Sequence, residues 1–292
     1  MEASLKIPVI DSIREIGGCW RVWFVDIWGV MHNGRDAFPD ASAATRAFRD
    51  AGGVVVLLSN SPRPSPDLQD QLRLIGVPDD AYDATVSSGD LTRHELAKHK
   101  GARVFHLGPA RDLPIFENAE VTLTGPDDAE LIVCSGLFDD EVETPEDYVD
   151  QLSSLAARDL LMICANPDHK VERGHQLLYC AGALAAAYET LGGKTFYAGK
   201  PHLPVYRLAF ETAAGIAAAR GETVAKSDVL AIGDGAKTDI VGAGVFGVPS
   251  VFVASRLHAP DENVGLLDAE HLSALFAEEP SPPIAATRGL RW

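Results

Sequence analysis

The chain has 292 residues, 46% of them apolar, enough for one large or two moderate domains with a substantial core. A net charge of −17 and an isoelectric point near 4.8 argue against a nucleic-acid partner, because no basic stripe is available to displace phosphate counterions. An anionic ligand would need a locally positive site, built from a cation, a lysine and backbone amides. No apolar run reaches the length of about 18 residues that spans a bilayer, and the N-terminus lacks a basic-then-apolar leader. A cytoplasmic protein with no membrane partner is expected.

Residues 22–26 (VWFVD) and 53–58 (GVVVLL) are continuous apolar runs of strand length. They bracket a helical stretch from Asp40 to Gly52–Gly53, and strand–helix–strand with fully apolar strands predicts a parallel sheet covered on both faces. Similar strands recur at 103–107, 130–134, 160–164, 228–232 and 249–253, with helices notably over 181–191 and 204–219. The predicted fold is α/β, a doubly wound parallel-sheet, Rossmann-like core. Residues 90–190 have strands and helices of their own but none of the chemistry-bearing strings described below. They are expected to form an inserted α/β domain between core segments 1–89 and 191–292. Within it, 137–147 (LFDDEVETPED) reads as a solvated turn and helix start. The Pro-rich tail after Glu278 is expected to be loosely held. Cys19, Cys134, Cys164 and Cys180 are scattered and read as inert thiols of a reducing compartment.

Four strings, each at the end of an apolar run, carry the chemistry. Asp26 ends the first strand, where a carboxylate can attack phosphorus or ligate a cation. Taken singly it reads as a turn or helix-cap aspartate, and only its partners overturn that reading. Ser59 ends the next strand and Asn60 follows, so a hydroxyl and turn amides can hold a phosphate oxygen. Lys200, in AGKP, can neutralise the nucleophile and the phosphoryl oxygens. Asp234 and Asp239, in GDGAKTDI, lie across a glycine turn that brings hard oxygen ligands of the kind magnesium takes to one sheet end. Thr238 and Asp239 also read as caps of a helix starting at Ile240. A carboxylate nucleophile, a hydroxyl, a lysine and a carboxylate pair, in this order, predict a magnesium phosphoryl-transfer site.

These strings resemble the haloacid dehalogenase superfamily, in particular its subfamily IIA, whose large α/β cap is inserted between the second and third motifs. The similarity extends to GVMHNG after Asp26, SSGD at 87–90, and ANPD at 165–168 leading to Gly199–Lys200. The resemblance implies a phosphatase for a small phosphorylated metabolite, of sugar phosphate, nucleotide or pyridoxal phosphate class. It implies that Asp26 is the nucleophile and that Mg2+ is held by Asp26, the Trp28 backbone carbonyl, Asp234 and, through water, Asp239. Ser59 and Lys200 would bind the phosphoryl group, and Asn60, Asn166 and Asp168 would lie near substrate. Pairing of two copies through the cap is implied as well.

One position departs from the pattern. The superfamily usually has a second aspartate two residues after the nucleophile, which protonates the leaving oxygen and then activates water. Trp28 stands there, and an indole donates one hydrogen bond but cannot shuttle a proton. His32 is the nearest replacement by its titration range. The other readings are a leaving group that needs little protonation, or a phospho-ligand-binding or regulatory protein without turnover. Halide-displacing relatives carry an aromatic residue at this position, but they need no metal, and the Asp234/Asp239 pair argues against that chemistry. His169 and His175, with Lys170 and Arg173 in PDHKVERGH, read as solvent-facing loop residues.

Overall fold

The computed structural model describes residues 6–173, 176–254, 267 and 269–292, so His175 lies outside the described residues. The chain divides into two compact units. The first comprises Met1–Ser59, Gln69–Val86 and Lys200–Trp292; the second comprises Asn60–Leu68 and Ser87–Gly199.

In the first unit, β1 (Val22–Asp26) is buried at all five positions and pairs in parallel with β2 (Val54–Ser59) and β11 (Val229–Gly233). With no face turned to water, such strands take continuous Val, Leu and Ile rather than alternation. The sheet is completed by β3 (Ala84–Ser87), β12 (Ser250–Val253) and β13 (Ala285–Thr287), in the order β13-β12-β11-β1-β2-β3. From β1 the chain proceeds to one flank, and from β11 to the other. The carboxyl ends of these two neighbours are thus the point where an open sheet gathers ligands. Helix Pro39–Asp50 turns its small residues inward and places Phe48 flat on Trp23, with centroids 3.9 Å apart.

The C-terminal tail differs from its expected looseness. Residues Ala285–Thr287 extend the sheet in parallel beside β12, and Ala286 exchanges backbone hydrogen bonds with Pro8 and Ile10. Leu290 is buried, Arg291 accepts the Ile13 N–H at 2.8 Å, and Trp292 leans on Trp23. Three small residues after the prolines are enough to complete an edge strand whose side chains are buried.

The second unit has its own parallel sheet, formed by β4 (Arg103–Leu107), β5 (Thr122–Leu123), β6 (Leu131–Cys134), β7 (Leu161–Cys164) and β10 (Lys194–Tyr197), in the order β10-β7-β6-β4-β5. Leu152, Leu155, Leu184 and Tyr188 from its helices close one face over Cys134 and Cys164. Burial pushes the Cys134 thiol up to about 12 and raises Cys164 as well, so neither offers a thiolate. The charged segment expected as a loop instead forms an antiparallel hairpin of β8 (Lys170–Arg173) and β9 (Gln176–Tyr179). Its opening pair places Lys170 Nζ 4.3 Å from the Tyr179 ring centre, a cation–π contact. No helix among the described residues is long and apolar enough to cross a membrane.

Burial also lowers His106 to about 4. An unfolded histidine titrates near 6.5, so the unfolded chain binds the extra proton first, and stability is lost as pH falls from about 6.5 towards 4. At pH 5 this histidine is expected to remove at most about 2 kcal/mol. Denaturant melts of wild type and His106→Asn at pH 7 and pH 5 check this: the variant should show a shallower acid loss.

Candidate active site

The residues at the β1/β11 end come together because three chain segments finish there. Asp26 closes β1, Asp234 follows β11, and Asp239 sits in the tight π-turn Ala236–Ile240. In that turn the N–H groups of Thr238, Asp239 and Ile240 all point at the Gly235 carbonyl. Asp26, Asp234 and Asp239 are buried, with carboxylate oxygens all within 4.8 Å of one another. Lys200, 3% exposed, inserts its ammonium among them. It forms ion pairs with Asp26 and Asp239 (2.8 Å to the latter) and donates to the Leu58 carbonyl at 3.2 Å. Leu58 is the register partner of Asp26, and Ser59 follows it at the end of β2.

Burial drives Asp26 well above the usual carboxylate range; Lys200 opposes this, while Asp239 and Asp234 add to it. Asp239 is raised for the same first reason, again opposed by Lys200. Burial alone would lower Lys200, but Asp239 and Asp26 outweigh it and hold the ammonium firmly protonated. Three carboxylates thus face one ammonium, an excess of two negative charges that a divalent cation would cancel. The donors are all hard oxygens, with no histidine or cysteine in the cluster, which suits magnesium in preference to zinc.

Asp239 does not cap the following helix. Its Oδ2 accepts the Gly235 N–H at 3.1 Å within its own turn, and helix Val241–Phe246 starts without a side-chain cap. A cation-facing carboxylate held by its own turn keeps its other oxygen for Lys200.

Trp28 closes the loop beyond Asp26. Its ring covers Gly34, where a Cβ would stand 2.4 Å from Trp28 Cη2, and it meets His32 edge-on at 5.4 Å. His32 is 2% exposed, and its Nδ1 accepts the Gly34 N–H at 2.9 Å. Burial brings His32 down to about 4, so it is neutral at pH 7 and outside the titration range that recommended it as a proton carrier.

Asn60, Asn166 and Asp168 form a cluster within the second unit. Asn60 Nδ2 donates to Asp168 Oδ1 at 2.8 Å, and the Asp168 N–H reaches Asn166 Oδ1 at 3.1 Å. Gly182 lets the next helix press on this turn: a Cβ there would stand 2.1 Å from the Pro167 carbonyl oxygen.

A crystal structure of a haloacid dehalogenase-like family hydrolase from Brucella suis 1330 shares 42% sequence identity with this chain. The match covers 97% of this chain and all of the other, with a TM-score of 0.83. The chain belongs to the haloacid dehalogenase-like family. Family models for haloacid dehalogenase-like hydrolases match residues 23–122 and 197–274, the two stretches that carry Asp26 and Ser59, and Lys200, Asp234 and Asp239. The ribonucleotide monophosphatase NagD of Escherichia coli K12 is 27% identical over 242 residues, covering 81% of this chain and 88% of that protein. A 4-nitrophenylphosphatase from Thermotoga maritima shares the fold at 20% identity, covering 92% of this chain and 94% of that one (TM-score 0.69).

In this haloacid dehalogenase-like hydrolase several site residues carry no motif of their own. Tyr206 donates its hydroxyl to the Asp239 carbonyl at 3.2 Å, bracing the turn from helix Leu203–Ala219. Its only mark in the sequence is its place on the buried face with Ala209, Ala213 and Ala217, a helical spacing shared by any core residue. Gly233 is required by closeness: a Cβ there would stand 2.2 Å from Asp239 Cγ. Gly233→Ala is expected to cost about 1–3 kcal/mol through overpacking and to weaken cation binding by displacing Asp239. Urea melts with and without added magnesium check both effects; wild-type stability and affinity would show that Asp239 can move freely.

Proposed function

We propose that the chain is a magnesium-dependent phosphomonoesterase that works through a phosphorylated Asp26. The observation that carries this reading is the buried trio Asp26, Asp234 and Asp239 with Lys200 bound between two of its members. The names of its relatives, a ribonucleotide monophosphatase and a 4-nitrophenylphosphatase, agree with such a substrate. A possible sugar phosphatase from Cytophaga hutchinsonii, 19% identical with a TM-score of 0.77, shares the fold.

Asp26, Asp234, Asp239 and the Trp28 carbonyl would hold magnesium, which when bound supplies positive charge to the phosphoryl oxygens. The Asp26 carboxylate attacks phosphorus, the ester P–O bond breaks, and the leaving oxygen departs with the bonding pair and takes its proton from water. Water then cleaves the aspartyl-phosphate, releasing inorganic phosphate and restoring Asp26. Lys200 balances the charge that develops at Asp26 and the phosphoryl group, and the Ser59 hydroxyl holds a phosphoryl oxygen. The second unit acts as a cap that selects substrate, with Asn60, Asn166 and Asp168 among its polar groups.

Phosphate release from a panel of small phosphomonoesters tests the reading, with trapping of one phosphoryl group on Asp26. Chelation by EDTA is expected to lower turnover by about 10²-fold or more, with recovery on adding magnesium. A second reading, a phospho-ligand-binding protein that turns over little, is favoured by Trp28 and the neutral, buried His32. Magnesium-dependent ligand binding without phosphate release from any ester would decide for it.

A further inference from the structure

The segment that delivers Lys200 also delivers Tyr206, and the two grip Asp239 by different ends. Lys200 Nζ donates to the side chain, to Asp239 Oδ1 at 2.8 Å. Tyr206, in the first turn of helix Leu203–Ala219, turns its hydroxyl to the main chain instead. It donates to the Asp239 carbonyl at 3.2 Å, with the Thr238 carbonyl at 3.4 Å as a second, longer acceptor. The turn it meets is the π-turn Ala236–Ile240, whose widened hydrogen bonding carries on to Val241 N–H, shared between the Ala236 and Thr238 carbonyls. Turns of this form are rare and recur at functional sites. The tyrosine itself has little room to move. It is 1% exposed, its ring lies 5.8 Å from that of Phe246 at 23°, and Phe246 meets Phe24 of β1 at 6.4 Å. Gly242 leaves the gap that the hydroxyl enters, since a Cβ there would stand 2.4 Å from the Tyr206 oxygen.

Phenylalanine would fill the same space, so the hydroxyl is the informative group. A buried hydroxyl needs a hydrogen-bond partner, and this one takes the backbone of a carboxylate whose own oxygens are both engaged. Asp239 Oδ1 accepts from Lys200, and Oδ2 accepts the Gly235 N–H at 3.1 Å. The bonds to the Gly235 carbonyl and N–H lie within the turn and travel with it as a unit. Lys200 reaches the carboxylate on a long, flexible stem. The Tyr206 hydroxyl ties the turn to a separate helix through a stiff ring, so it fixes where the whole unit stands. Groups that hold a ligand's support in this way govern metal affinity nearly as strongly as the ligands do.

We propose that Tyr206 is a positioning residue for the cation site, its hydroxyl holding the Asp239 turn where the carboxylate serves Lys200 and magnesium together. This rests on the magnesium-dependent phosphomonoesterase reading. Tyr188 provides a matched control in the second unit's own core: it is buried, and its hydroxyl likewise donates to a carbonyl, that of Leu160 at 2.7 Å. Full-length wild type, Tyr206→Phe and Tyr188→Phe are freed of metal with EDTA, checked for folding by circular dichroism, and titrated with magnesium chloride by calorimetry. Tyr206→Phe is expected to bind magnesium about 10- to 100-fold more weakly than wild type. Tyr188→Phe, which also loses one buried hydrogen bond, is expected to bind it as wild type does. Wild-type affinity in a folded Tyr206→Phe would make the hydroxyl an ordinary core group and overturn the proposal. Equal weakening in both variants would do the same, because it reports general loosening. Should Tyr206→Phe fail to fold, Gly242→Ala carries the comparison, since its methyl would crowd the hydroxyl off its carbonyls. If wild type itself binds no magnesium, the magnesium-dependent reading fails and takes this proposal with it. Binding in wild type that Tyr206→Phe leaves unchanged removes the proposal alone.

Discussion

Asp26→Asn is expected to reduce phosphate release by at least about 10⁴-fold, the scale on which loss of a covalent nucleophile acts. The amide is isosteric, so the loss is chemical. It is a far poorer nucleophile, it bears no charge for a cation, and it removes one of the two carboxylates that hold Lys200. The fold should survive, because a neutral amide escapes the burial that chiefly raises Asp26 and the repulsion from Asp239 and Asp234 that adds to it. A phosphate-release assay beside a thermal melt checks both parts. More than a trace of turnover in a well-folded variant would remove Asp26 from the nucleophile's role.

The second large effect concerns the leaving group. Around the loop after β1, Trp28 lies over Gly34, and His32 is neutral and committed to the Gly34 N–H. Neither delivers a proton to a departing alkoxide at neutral pH. Aryl phosphates are therefore expected to turn over about 10²- to 10⁴-fold faster than alkyl phosphates, the range ascribed to general acid–base catalysis. The phosphoenzyme should accumulate with the aryl esters, because its hydrolysis lacks a base. Trp28→Asp should raise alkyl-ester turnover by about 10²-fold, provided circular dichroism shows that the loop has not collapsed without the indole over Gly34. His32→Ala should lower the melting temperature and leave the leaving-group slope as it was. A shallow slope in wild type, made steep by His32→Ala, would return the proton-carrying role to His32.

Strands such as VWFVD and VLAIG were legible because a strand covered on both faces is a continuous apolar run, and the carboxylates that end or follow them mark the candidate site. Lys200 was legible only through its fixed order after Asp26 and Ser59, since nothing local separates it from a surface lysine. What escaped was structure set by distant partners. KTFY at β10 and AAT at β13 become strands only beside β7 and β12, and Lys170–Arg173 only by pairing with Gln176–Tyr179. The Asp239 turn was read as a helix cap because an Asp before an apolar run carries that meaning by default. Its Gly235 hydrogen bond and the Tyr206 brace arise from packing that no short string records. His32 was attractive by its reference titration range, and its burial, which removes it from that range, is not written in GVMHNG.

The strand order of the first unit bears on how the protein emerges from the ribosome. β1 sits in the middle of its sheet, yet its neighbour β11 begins two hundred residues later in the chain. A nascent chain carrying residues up to Gly199 has every strand of the second unit but only half of the first unit's sheet. During those many seconds of vectorial synthesis, β1 exposes one open edge, apolar but for Asp26. Chaperone capture at this stage should act on the older, N-terminal residues, and Lys200 gains both of its carboxylate partners only once β11 and the turn that carries Asp239 have been made.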